Sequence, residues 1–197
     1  SNASGRQASD LAPEIAVFAK EIGSVVGLLE QVPNQPLIFV GDPDPTLGKT
    51  GRSEDEIIAL SYKRYLDTGD EDWPALFPMA KSAVRAMDTI QDFLGTLKSP
   101  DVPVKVKDFV ITGASKRGWT TWLTAAADPR VAAIAPIVID VLNIDVQMEH
   151  HRGVYGFFSQ AIEDYDNLRV FHYFDTPRGQ ALLQMVDPYE YRERLTM

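Results

Sequence analysis

The run "DFVITGASKRGWTTWLTAAADPRVAAIAPIVI", Asp108 to Ile139, limits the folds open to this chain more than any other stretch. Two β-branched, apolar runs flank a segment of helix length, and "DPR" turns the chain between helix and second run. Near-continuous apolar strands on either side of a helix suit a parallel sheet covered on both faces. The wider order reads helix, strand, helices, strand, helix, strand, which is an α/β chain.

Earlier elements follow from local signals. Leu11, Ile15, Phe18 and Ile22 recur at helical spacing, with Asp10 as cap and Gly23 as stop. "SVVGLLEQV" (24–32) reads as a buried strand. Ser53 and Glu56 form a capping box that opens a helix through Tyr65 and Leu66, ending near Gly69. Pro78 opens a longer helix whose stripe is Met79, Ala83, Ala86, Ile90 and Leu94, and "KSPDVPVK" is a loop. From about residue 144 onward the pattern is helical and aromatic, with a lid as one use of it.

Ser115 sits between Gly113 and Gly118, straight after the first apolar run. A serine nucleophile on a strand-to-helix elbow needs small residues on both sides, because the two backbones approach closely there. The pattern here is G-x-S-x-x-G, since Arg117 stands where the commoner spacing has glycine. The helix start would also offer the Lys116 N–H to an oxyanion. Serine is equally a favoured helix cap, and the same residues would serve that use. Both readings stand at this level.

Composition removes several alternatives. The 197 residues carry 28 acidic and 19 basic side chains, a formal charge of −9, which disfavours nucleic acid as partner. Cysteine is absent, excluding thiolate metal sites and a cysteine nucleophile. With three histidines, two of them adjacent, no metal or cofactor is expected. No apolar run reaches the roughly 20 residues of a membrane span. Ser1-Asn2-Ala3 reads as a tag-cleavage scar. "TLGKT" ends like a phosphate-binding loop, but Pro43 occupies the place of its first glycine, and a surface turn is the better reading.

The run "ITGASKRGWTTWLTAAADPRVAAIAPIVIDVLN" resembles the central signature of the PhoPQ-activated pathogenicity-related proteins, an α/β-hydrolase-like family. "VPNQPLIF", "EDEIIALSYKRYLDTGDEDWPALFPMAKSAVRAMDTI", "MEHHRGVYGFFSQAIEDY" and "VDPYEYRERLTM" resemble its other blocks. The resemblance implies an α/β-hydrolase-like, mostly parallel sheet with flanking helices, and Ser115 as nucleophile towards an ester or amide of a small molecule or peptide. It implies an exported protein linked by name to bacterial pathogenicity. It further implies that 4–197 form a central segment, with the catalytic histidine and acid beyond Met197, so that the segment alone is nearly inert. Sheet edges left open would then invite self-association. The alternative is a non-catalytic secreted or surface binding protein on the same scaffold.

The remaining candidates are secondary. Asp140, at the end of the second apolar run, is a candidate acid or a cap for the next segment. Arg117 is a candidate for gripping a substrate carboxylate. His150 and His151 point about 100° apart on a helix and read as surface or packing residues, as does His172. Trp119 and Trp122 read as core anchors, and Tyr155, Phe157 and Phe158 as core packing.

Overall fold

A computed structural model describes residues 13–97 and 105–197. The tag scar, Leu11 and most of the "KSPDVPVK" loop lie outside the described residues. The chain divides into two compact units, Ser1–Glu30 and Gln31–Met197. The first carries α1 (Pro13–Ile22), followed by extended chain. Residues 24–32, expected as a buried strand, form none. Val25, Leu28 and Leu29 are exposed, and no ladder partner stands beside them among the described residues. Apolar content alone does not make a strand, because its backbone groups need a second chain segment to bond.

The second unit is mixed α/β. Its elements are α2 (Leu47–Thr50), α3 (Glu54–Thr68), α4 (Leu76–Thr96), β1 (Phe109–Ala114), α5 (Lys116–Ala127), β2 (Val131–Ile137), α6 (Ile144–Tyr155), α7 (Glu163–Asn167) and α8 (Pro177–Val186). Short 3-10 turns at Gln160–Ile162, Val170–Tyr173 and Pro188–Arg194 join the later helices. At the start of α3 the Ser53 N–H donates to the Glu56 carboxylate at 2.9 Å, and Gly69, at φ 78°, ends the helix as expected. Every residue from Ile57 to Tyr62 is buried, so the middle of α3 runs through the core, and its last turn shows polar side chains such as Asp67 and Thr68 to solvent. Pro78 lies within the first turn of α4, which begins at Leu76, a position proline tolerates.

β1 and β2 pair in parallel, with Thr112 opposite Ala135, and α5 crosses between them. Phe109, Ile111, Val131 and Ile134 face Met87 of α4 and Ala125 of α5. The opposite face was expected to be covered too. Among the described residues it is open, with Val110 73% and Ile137 50% exposed. Side chains alternate across a strand, so one layer of helices can bury only every second residue of each strand.

Two contacts hold the helices on which a site could be built. Trp119 Nε1 donates to the Val186 carbonyl at 2.6 Å, tying α5 to α8. Buried Asp187 accepts from the Asn143 and Ile144 N–H groups at 3.1 and 2.6 Å and so fixes the start of α6. Trp122 packs beside the core, as expected. Tyr155 and Phe157 do not. They are 59% and 65% exposed, because α6 ends at Gly156 and leaves both rings outside the core. Phe158 does pack, against Phe171 at 4.4 Å between ring centres.

The α5 crossing leaves no space at two glycines. A Cβ on Gly113 would stand 2.6 Å from the Arg117 carbonyl oxygen, and one on Gly118 would stand 2.6 Å from Ile139 Cγ2. Gly118→Ala is therefore expected to cost about 1–3 kcal/mol of stability. Gly153→Ala in α6, where a Cβ meets nothing within 4 Å, should stabilise by about 0.5–1 kcal/mol. Urea unfolding of both variants checks this, and shifts of the same sign would contradict the packing described.

Candidate functional site

Ser115 follows β1 directly and precedes α5, at φ 55° and ψ −126°. A non-glycine residue at positive φ costs on the order of 1–3 kcal/mol and persists only where its surroundings impose it. Here they do. The Ser115 N–H donates to the Ile137 carbonyl of β2 at 2.8 Å, and its own carbonyl accepts from the Trp119 N–H at 3.0 Å. Although Ser115 occupies the cap position of α5, its side chain makes no capping hydrogen bond. The first N–H groups of α5, Lys116 included, have no acceptor within the helix.

Beside this turn lies a cluster of four charges. Lys116 Nζ stands 2.7 Å from Glu54 Oε2 and 2.7 Å from Asp55 Oδ2. Arg117 meets the two oxygens of Glu54 at 2.9 and 2.8 Å. The fork expected to receive a substrate carboxylate thus holds an internal one. Gln35 adds a hydrogen bond to Glu54 at 2.5 Å, and Tyr165 Oη donates to Asp55 at 3.0 Å. The Arg117 pair, helped by Lys116 and Gln35, holds the Glu54 carboxyl well below the usual range against the opposing effect of burial. Burial alone would lower the Lys116 pKa, but its bonds to Asp55 and Glu54 outweigh that and raise it. Lys116 therefore keeps its proton and cannot serve as a base.

Ser115 also lines a cavity of about 310 Å³ bounded by α3, α5, α6 and the later helices. Asp140, three residues past the end of β2, and His151 of α6 line the same cavity. Asp140 is exposed and His151 half-buried. His151 Nε2 accepts the Ser159 N–H at 3.0 Å, and its ring lies against Tyr155 and Phe158. His150 and His172 are exposed and do not line it. Tyr62 and Tyr165 reach it from the core side, and burial raises both phenol pKa values far above the ordinary one. Tyr62 Oη is buried with no hydrogen-bond partner. Nothing in the chain's pattern marked Tyr62, Tyr165, Glu54 or Asp55 for this place. The two acids look like an ordinary acidic first turn of α3, and only their meeting with Lys116 and Arg117 reveals their use.

The "TLGKT" turn is closed to phosphate by its own geometry. Asp44 accepts the Thr46 and Leu47 N–H groups at 2.7 and 3.0 Å, where an anion would have to sit. Among the described residues no three His, Asp or Glu side chains gather as a metal site, and no helix is long and apolar enough to cross a membrane.

The site thus sits in a mixed α/β unit, at the end of the first strand of a two-strand parallel sheet. The family profile of the PhoPQ-activated pathogenicity-related protein matches residues 1–197, and the chain belongs to that family. It is 40% identical over 184 residues to "Autocrine proliferation repressor protein A" of Dictyostelium discoideum, covering 93% of this chain and 35% of that protein. The chain thus spans about a third of this relative's length. No solved structure matches it.

The four-charge cluster has a consequence in acid. A carboxyl held below its ordinary value of 4.5 stabilises the fold fully above that pH, and the contribution fades as pH falls below it. Urea midpoints measured between about pH 7 and pH 3 should fall less steeply for Glu54→Gln than for the unaltered protein. Parallel curves would show that Glu54 gains nothing from its partners.

Proposed function

We propose that this chain carries the nucleophile of a serine hydrolase with an α/β-hydrolase type of fold. One observation carries the reading: Ser115 is held at positive φ at the end of a parallel strand, its hydroxyl unspent on capping, beside a cavity. Ser115 Oγ attacks the carbonyl carbon of an ester or amide and passes its proton to a histidine base. The Lys116 N–H donates to the oxygen that becomes negative in the tetrahedral intermediate. The carbon–leaving-group bond then breaks, the leaving group takes the base's proton, and water releases the acyl group from Ser115.

The base is assigned to a histidine of the whole protein outside these residues, because His151 Nε2 is already bonded and His150 and His172 lie off the cavity. Asp140, at the cavity wall, is the acid candidate within the chain.

A second reading has one observation in its favour. The Dictyostelium relative is named for repressing proliferation, which suits a secreted protein that keeps the scaffold for binding. Reaction of the whole protein with a fluorophosphonate separates the two. The hydrolase reading predicts one adduct, mapped to Ser115, absent in Ser115→Ala and unchanged in Lys49→Ala. Folded protein that takes no label would favour the binding role.

A further inference from the structure

The cavity beside Ser115 also specifies what it can hold. Its floor is apolar and deep: Trp119, Ile144, Val170, Leu182 and Val186 line it, each under 8% exposed. Its mouth, near Ser115, is marked by exposed Val138 and Asp140. A volume of about 310 Å³ lies at the small end of ligand pockets, which run from about 300 to 1,000 Å³.

Lys116, on the cavity wall, is already paired. Its Nζ stands 2.7 Å from both Glu54 and Asp55, and Arg117, next in the chain, is bonded to Glu54 at 2.9 and 2.8 Å, so neither of these cations is free for an anionic ligand. An ionised group carried among the buried Trp119, Val170, Leu182 and Val186 side chains would be desolvated there, which is costly.

Building on Ser115 as the nucleophile, we propose that this cavity is the acyl pocket and that it selects neutral, apolar acyl groups of moderate length. The carbonyl carbon lies at Ser115 and the hydrocarbon points down between α5, α6 and α8. Each methylene buried there is worth about 0.8 kcal/mol, or roughly a three- to fourfold gain in kcat/KM, until the floor is reached. Met148, a half-buried residue of α6, borders the hydrocarbon path.

The test measures kcat/KM of the whole protein on p-nitrophenyl acetate, butyrate and hexanoate, and on the hexanedioate monoester. The series should rise by at least tenfold from acetate to hexanoate, and the monoester, with a carboxylate at the far end, should lose that gain. Met148→Trp should flatten the series while leaving labelling by methylsulfonyl fluoride, a small reagent, at its original rate. Should Met148→Trp fail to fold, Ala161→Phe, at an exposed position of the same wall, serves in its place. Labelling at Ser115 together with a flat or reversed series would overturn the acyl pocket and leave the nucleophile standing. No labelling and no turnover would overturn both.

Discussion

The crossing of α5 over β1 and β2 is so tight that backbone meets backbone at Gly113 and Gly118, and the chemistry proposed here depends on that crowding. With no side chain at either position, the chain must turn within a single residue to leave the strand and enter the helix. Ser115 absorbs that turn by taking positive φ, and the Ile137 carbonyl of β2 pins its N–H in place. A cap would normally spend its hydroxyl on the helix, but this geometry leaves the hydroxyl free. The same bend places the unpaired N–H groups of α5 next to it. The proposed nucleophile and the proposed oxyanion donor therefore share one steric cause.

The second constraint is electrostatic. Lys116 and Arg117 follow Ser115 in the chain and are held by Glu54 and Asp55 at the head of α3. Glu54 itself adopts φ 52°, a second non-glycine residue at positive φ, fixed by a two-way bond with Gln35. Such a cluster is weak evidence for stability, because desolvation opposes most of the attraction. Its geometric effect is firmer. It clamps α3, the central helix of the core, to the first turn of α5, so Ser115 is supported from the helix side as well as the sheet side. It also holds Lys116, which lines the cavity, between two carboxylates.

Much of this was readable from residue pattern alone. The strand, turn, helix and strand from Phe109 to Ile137, the opening and close of α3, and the core role of Trp119 each rest on a short-range rule with its cause inside the segment. The failures share a different cause. The run 24–32 has strand-like composition but pairs with no strand among the described residues. Val110 and Ile137 have core-like side chains on a face that no helix covers among the described residues, and Tyr155 and Phe157 lie at the point where α6 stops. The clamp on Arg117 joins residues 63 positions apart, and no local pattern announces it. Burial and pairing are properties of the assembled chain, so composition ranks candidates for them without fixing them.

The central claim is that the hydroxyl of Ser115 forms the covalent bond with substrate. Acid-quenching the whole protein within milliseconds of mixing with p-nitrophenyl hexanoate, then digesting it for mass spectrometry, tests that bond directly. The account predicts a hexanoyl group on the peptide containing Ser115 and on no other peptide. Hydrolysis of the ester with the acyl group on a different residue, or with no acyl-protein trapped at any time, would contradict it.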